Sequence, residues 1–177
     1  MKLTYFVHGT TTDNERGLAT GCLPGELSKL GIQQAKDLPK QAKDNTFTVM
    51  YSSDLKRATD SATLGFGKTH ELRVDKRLRE ADYGEWNGGS HHFKSNMQKY
   101  VDSPFPGGGT YRDVENNMRS FLRDVSKEFP NGHIAIMAHE APQLALEVIV
   151  KNKTWDVAIN ENWRKTKSWK PGWIYEI

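Results

Sequence analysis

The sequence predicts a three-layer α/β/α domain built on a mainly parallel sheet. Short apolar segments rich in β-branched and aromatic residues alternate with longer segments whose apolar residues recur at helical spacing. Strands that alternate with helices along a chain usually form a parallel sheet with helices on both faces. The length of 177 residues suits one domain, so we expect a single domain over residues 1–177.

Three strand-like segments and two helical patterns fill the first half of the chain. The first helical pattern starts after a candidate N-cap at Ser28, and Pro39 should end or kink it. The second covers residues 54–67 and closes with glycines. The strand-like segments are KLTYFV at 2–7, TFTVMYSS at 46–53 and ELRVD at 71–75.

The second half begins with the longest helical pattern, at residues 110–129. One face of this pattern is apolar and should pack on the sheet. The apolar positions are Val114, Met118, Phe121, Leu122 and Val125. A buried strand HIAIMAH, a helix PQLALEVIV and a closing strand GWIYEI are predicted to follow.

Two segments do not follow the alternation. Residues 88–109 are polar and glycine-rich and contain two prolines, so we interpret them as an insertion with one short helix. The tail at 151–177 holds four of the five tryptophans among basic residues. Such a mixture can bind single-stranded nucleic acid, but we favour indole rings that pack onto the sheet while the lysines stay in water.

Composition limits the class of protein. No stretch approaches the roughly 20 apolar residues of a membrane span, and no signal peptide is evident before the first strand. Cys22 is the single cysteine, so no internal disulfide can form, and we expect a cytoplasmic protein. The net charge of +3 is compatible with an anionic ligand.

Two predicted strands end in histidine, at His8 and at His139. Ligands of open α/β sheets bind beyond the carboxyl ends of the strands, so both histidines could face one crevice. The strand at 46–53 leads into a helix that would bring Arg57 to the same edge. Two histidines, an arginine, hydroxyl groups and free backbone N–H groups suit phosphoryl transfer through a covalent histidine.

Several segments resemble the histidine phosphatases, or phosphoglycerate mutase-like proteins, and they occur in the order found in that family. The resemblance extends to about Val150, and the order of the motifs is more specific than any one of them. The segments are VHGTTTDN, GLATGCLPGELSKLGIQQA, YSSDLKRATDSA, LREADYGEWNG, FPGGGTYRDVENNMRSFL and IAIMAHE.

The resemblance implies roles for individual residues, with no metal and no other cofactor. His8 would become phosphohistidine, Glu80 would protonate the leaving group, and His139 would stabilise the transferring phosphoryl group. Asp82 and Glu85 lie close to Glu80, and only the resemblance favours Glu80 among the three. Contacts to phosphate or substrate are implied for Arg57, Asn14, Thr20 and Gly21.

Two positions depart from the pattern of the family. The family has an arginine directly before the nucleophile, and here either Val7 replaces it or it has been deleted and the strand ends one residue early. Arg16, in the following loop, is a candidate to replace this arginine, and an exposed loop arginine is the alternative interpretation. Glu140 stands where the family usually has glycine, and it adds a negative charge unless its side chain points away.

The sequence therefore predicts a phosphomonoesterase that acts on a small phosphorylated substrate through His8. One alternative is phosphoglycerate mutase-type transfer, but the cofactor-dependent mutases have a longer chain before the second histidine, so the short chain favours hydrolysis. Another alternative is a phosphate-ligand-binding module without catalysis, because Val7 and Glu140 depart from the family pattern. Adjacent histidines such as His91 and His92 rarely bind one ion together, and we predict no metal site.

Overall fold

A computed structural model describes residues 1–42 and 44–177, and it confirms the α/β/α fold with a mainly parallel sheet. In chain order the strands are β1 (Lys2–Val7), β2 (Leu18–Ala19), β3 (Val49–Ser52), β4 (Leu72–Val74), β5 (Gly89–Ser90), β6 (His133–Ala138) and β7 (Trp173–Glu176). The helices are α1 (Thr12–Glu15), α2 (Lys29–Gln41), α3 (Lys56–Phe66), α4 (Tyr111–Glu128), α5 (Glu140–Lys151), α6 (Trp155–Asn160) and α7 (Trp163–Thr166).

The central sheet has the strand order β4–β3–β6–β1–β7. The first four strands of this order run parallel, and β7 pairs antiparallel with β1 at the edge. Strands β2 and β5 form a separate antiparallel pair. Because β1 and β6 are parallel neighbours in the middle of the sheet, their carboxyl ends meet at one edge, as the two histidine-ending strands require.

Side chains of β1 alternate between two hydrophobic cores. Leu3, Tyr5 and Val7 belong to the core beneath α4 and α5, and Phe6 belongs to the core beneath α2 and α3. The pairing with β6 continues without interruption to Val7, which lies opposite Ala138. Val7 is therefore the last strand residue, and His8 leaves the sheet directly after it.

The predicted helices are present, with shifted ends. Ser28 is the N-cap of α2, as expected, and its hydroxyl accepts from the backbone of Gly31. This helix continues through Pro39 and ends at Gln41. All five predicted apolar positions of α4 are buried. Helix α5 starts two residues before the predicted Pro142, because proline is tolerated in a first turn.

Short elements fill the two segments that depart from the alternation. Residues 88–109 contain β5 and a 3-10 helix over His92–Tyr100. The tail contains α6, α7 and β7, with Trp155 and Trp173 buried and Trp169 exposed. Across the described ranges, the search for a helix with the length and apolar character of a membrane span found none.

Candidate active site

His8 and His139 lie side by side at the carboxyl edge of the sheet. The backbone N–H of His8 donates to the Ala138 carbonyl at 3.1 Å, which extends the β1–β6 pairing by one residue. The two imidazole rings have their centroids 5.1 Å apart. The ends of β1 and β6 therefore bring the two predicted histidines together.

Hydrogen bonds fix the tautomer of His8. Its Nδ1 lies 2.7 Å from the Gly9 carbonyl oxygen, which can only accept, so Nδ1 carries the hydrogen. The Nε2 lone pair then accepts from Arg57 Nε at 3.1 Å. Burial lowers the pKa of His8, and the positive charge of Arg57 lowers it further. His8 is thus a neutral imidazole whose Nε2 lone pair accepts from Arg57.

Backbone carbonyls hold the Arg57 guanidinium next to His8. Arg57 lies in the first turn of α3 and is only 2 % exposed. Its Nη1 donates to the Leu23 carbonyl at 2.5 Å, and its Nη2 donates to the Gly21 carbonyl at 2.7 Å. Gly21 has a φ of +57° and a side chain there would collide with Asn87, so glycine suits this turn. Arg57 and Gly21 both line the cavity next to His8.

His139 is completely buried and its ring has no hydrogen-bond partner. The Tyr5 hydroxyl donates to the His139 carbonyl at 2.6 Å and accepts from the His139 N–H at 2.9 Å, which fixes the backbone. Neither ring nitrogen bonds to any residue in the described part of the chain. Burial and the charge of Arg57 lower the pKa of His139. An unpartnered buried imidazole is a costly arrangement that a bound oxyanion would relieve.

Glu80 borders the cavity that contains His8 and Arg57. Its carboxyl group accepts from three backbone N–H groups, those of Ala81 at 2.9 Å, Glu140 at 3.2 Å and Ala141 at 3.1 Å. Burial raises the pKa of Glu80, and the nearby Glu140 carboxylate raises it further. A raised pKa favours a carboxyl group that carries a proton to donate.

The cavity has a volume of about 290 Å³ and joins the strand ends to the β2–β5 pair. Of the three acidic candidates, Glu80 borders it, whereas Asp82 and Glu85 are exposed and do not. Among the described residues, no group of three or more histidine, cysteine or acidic side chains could hold a metal ion. The chemistry available here is that of two histidines with lowered pKa values, a fixed arginine and a buried carboxyl group with a raised pKa.

Comparison with known proteins identifies the family. The family model for the histidine phosphatase superfamily (branch 1) matches residues 5–156. The chain belongs to this superfamily. Phosphoserine phosphatase 1 of Hydrogenobacter thermophilus is 29% identical over 156 residues, which cover 82% of this chain and 74% of that protein.

Solved structures of similar proteins agree with the fold. The mycobacterial glucosyl-3-phosphoglycerate phosphatase in complex with VO3 superposes with a TM-score of 0.78 at 26% identity, covering 89% of this chain and 85% of that chain. YhfR of Bacillus stearothermophilus gives a TM-score of 0.83 at 21% identity, covering 99% of this chain and 91% of that chain. At its lower identity, the second comparison supports the fold alone.

Asn14 and Thr20 line the cavity of this histidine phosphatase. The Asn14 Oδ1 accepts from the Thr11 N–H at 3.1 Å in the capping box of α1, which leaves its Nδ2 free to donate. The Thr20 hydroxyl donates to Asp13 at 3.0 Å. Arg16 does not line the cavity: it is the C-cap of α1, and its side chain is exposed.

Glu140 points its carboxylate at the cavity wall, where neighbouring groups balance its charge. Its Oε1 accepts from Asn162 Nδ2 at 2.6 Å. Its Oε2 bonds to Lys94 Nζ and lies 3.2 Å from Arg164 Nε. Although burial alone would raise the pKa of Glu140, Lys94 and Arg164 outweigh it and lower this pKa to about 2. The carboxylate is therefore ionised and held by two cations.

Sequence reasoning missed Lys94 and Arg164, which both border the His8 cavity. Lys94 comes from the 3-10 helix of the 88–109 segment, and Arg164 comes from α7 in the tail. Neither lies in a segment with a family motif. The signal that could have found them is Glu140, because a buried carboxylate needs cationic partners.

Proposed function

We propose that this chain is a metal-independent phosphomonoesterase that works through a phosphohistidine at His8. The observation that carries the proposal is the neutral His8 ring, whose Nε2 lone pair faces Arg57 beside the unpartnered ring of His139. Membership of the histidine phosphatase superfamily and the phosphatase names of the relatives support the same reaction. A small phosphorylated substrate in the cytoplasm fits the cavity and the single cysteine.

The first half of the reaction forms the phosphoenzyme. Phosphate oxygens compete for the Arg57 N–H that now bonds to His8, which frees the Nε2 lone pair. Nε2 attacks phosphorus, the bond from phosphorus to the alcohol oxygen breaks, and Glu80 gives its proton to that oxygen. Arg57, His139 and Asn14 stabilise the negative charge of the phosphoryl oxygens during this step.

The second half releases phosphate. The ionised Glu80 takes a proton from a water molecule as that water attacks phosphorus. The bond between phosphorus and Nε2 breaks, and its electron pair returns to the imidazole. Inorganic phosphate leaves, and His8 and Glu80 are restored to their starting protonation states.

The test is to trap the phosphoenzyme. Protein mixed with a ³²P-labelled aryl phosphate in the presence of a chelator and quenched in base should carry label, which acid then removes, as expected for phosphohistidine. His8→Ala protein with a normal melting temperature should carry no label and release no phosphate. His92→Ala, at an exposed histidine nearby, is the matched control and should label normally.

Label that persists in folded His8→Ala protein would assign the nucleophile to another residue. Activity that disappears with the chelator would contradict a metal-independent mechanism. Interconversion of 3-phosphoglycerate and 2-phosphoglycerate without net release of phosphate would favour the mutase reaction instead.

A further inference from the structure

The histidine phosphatase pattern has an arginine directly before the nucleophile, and this chain has Val7 there. Val7 is 8 % exposed and packs in the core on the same face of β1 as Tyr5. It supplies no charge to the phosphate cavity. A phosphatase of this design therefore lacks one of its usual cations unless another part of the chain provides it.

Arg164 is positioned to provide that cation. His8, Asn14 and Arg164 together border two adjoining cavities, the phosphate cavity and a second one of about 390 Å³ between α2 and the tail. The positive charge of Arg164 is one of those that lower the pKa of His8. Its Nη1 and Nη2 donate no hydrogen bond to the described residues, so these groups are free to bind an oxyanion.

The Arg164 guanidinium is held in place from two sides. Its Nε faces the buried Glu140 carboxylate at 3.2 Å, next to His139. Its Cζ stacks over the Trp163 ring at 4.3 Å, and the Trp163 ring packs against that of Trp173 in β7. A side chain fixed in this way loses little conformational entropy when it binds a ligand.

Helix α7, which carries Arg164, is itself tied to the start of α5. The Asn162 side chain caps α7 by accepting from the Arg164 N–H at 2.9 Å, and it donates to Glu140 at 2.6 Å. Asn162 is 2 % exposed. The substitution of glutamate for glycine at position 140 thus supplies the anchor for the tail.

We propose that Arg164 takes the place of the missing arginine: its guanidinium reaches in from the C-terminal tail and binds the phosphoryl group that His8 attacks, and Glu140 positions it. This proposal rests on the proposed phosphatase function. The proposal explains the departures at Val7 and Glu140 together. Arg164 in the tail supplies the positive charge that is missing at the end of β1, and the Glu140 carboxylate holds Arg164 in place.

The experiment combines loss with rescue. Arg164→Gln should lower kcat/KM for an aryl phosphate about ten- to a hundredfold, the usual effect of one charge-assisted hydrogen bond. Lys165→Gln removes an adjacent, exposed charge and should change kcat/KM by less than about twofold. Val7 borders the second cavity, which adjoins the phosphate cavity. Val7→Arg combined with Arg164→Gln should therefore restore most of the lost activity, while Val7→Arg alone should add little.

The affinity for inorganic phosphate can be measured without turnover, so it tests the role of Arg164 separately from the proposed phosphatase activity. In His8→Ala protein, which should not turn over, calorimetry with inorganic phosphate measures the cavity alone. Adding Arg164→Gln should weaken the Kd about tenfold or more, and adding Val7→Arg to that double variant should recover it. Each variant is first checked for a normal melting temperature.

Three results would overturn the proposal. The first is an Arg164→Gln protein within about twofold of the wild type in both kcat/KM and phosphate affinity. The second is a loss that Val7→Arg does not rescue in a folded double variant, because Arg164 would then not stand in for the missing residue. The third is Lys94→Gln losing activity and affinity when Arg164→Gln does not. None of these depends on whether His8→Ala abolishes turnover, which tests the phosphatase function alone.

Discussion

The floor and the rim of the His8 cavity are built in different ways. The floor consists of His8 and Arg57, with the ring of His139 packed beside that of His8, and these residues lie at the ends of central strands or in the helix that follows one. Arg57 and His139 are 2 % and 0 % exposed. The rim carries Lys94 and Arg164, whose side chains are 28% and 39% exposed and come from short elements. The sheet thus fixes the reacting groups, while irregular segments adjust the charge around them.

The broadest expected effect comes from the floor, at Arg57, because it changes both activity and stability. Arg57→Lys keeps the charge but cannot bond at once to His8 and to the carbonyls of Gly21 and Leu23. We expect kcat/KM to fall by about a hundredfold or more, and the free energy of unfolding to fall by about 1–3 kcal/mol for each carbonyl left unpaired. Steady-state kinetics and denaturant unfolding measure both effects.

Lys56 is the matched control for Arg57. It is the preceding residue, and it forms surface ion pairs with Glu26 and Asp60. Lys56→Ala should leave kcat/KM unchanged and change stability little, because exposed ion pairs contribute little. A fully active Arg57→Lys protein would contradict the role of the guanidinium fork in the floor.

The next effect is at Glu80, where floor and rim meet. Glu80→Gln should lower kcat about 10²- to 10⁴-fold for alkyl phosphates, whose poor leaving groups need a proton. Aryl phosphates with good leaving groups should lose about tenfold or less. The measurement is a plot of log kcat against the pKa of the leaving alcohol for both proteins. Glu85→Gln, at an exposed carboxyl nearby, is the control, and equal losses for all substrates would exclude Glu80 as the acid.

A third effect is on stability, and it tests the burial of the floor histidines. Burial is the main cause of the lowered pKa values of His8 and His139, so below about pH 6.5 the unfolded chain binds more protons than the folded one. The free energy of unfolding should therefore fall as the pH drops from 7 to 5.5, with each histidine contributing up to about 1.4 kcal/mol per pH unit. Denaturant unfolding across this range should show a shallower slope for His8→Ala. Identical slopes would mean that His8 is not neutral in the folded chain.

A fourth effect belongs to the rim, at Glu140, and it is a shift in the pKa of a neighbouring group. Its carboxylate is one cause of the raised pKa of Glu80, so Glu140→Gln should lower that pKa. In a plot of kcat/KM against pH for an alkyl phosphate, the alkaline limb should then move to lower pH. The reason is that Glu80 loses its proton at a lower pH. An alkaline limb at the same pH in both proteins would show that the Glu140 carboxylate does not raise the pKa of Glu80.

The sequence was sufficient to predict the floor and insufficient for the rim. His8 and His139 could be found because each follows a strand that the apolar pattern marks, and neighbouring parallel strands end at one edge. Arg57 was predictable for the same reason. Lys94 and Arg164 could not be placed, because their approach depends on how short elements pack in three dimensions.

The candidate at Arg16 shows how a local argument can fail. Its position in the loop after the nucleophile made it a reasonable choice to replace the missing arginine. The capping box between Thr11 and Asn14 instead closes this loop into α1, and Arg16 ends that helix with its side chain in solvent. The capping signal is visible in the sequence as Thr11 followed three residues later by Asn14.

The contact between Gly9 and Gly31 limits how such an enzyme can evolve. A Cβ atom on Gly9 would lie 2.4 Å from the Gly31 carbonyl oxygen, and one on Gly31 would lie 1.9 Å from the Thr10 carbonyl oxygen. Main chain faces main chain here, so no second mutation can make room by trimming a side chain. Descendants of this chain can therefore vary the rim of the cavity more freely than the contact between α2 and the loop that follows His8, which is closed to any side chain at these two glycines.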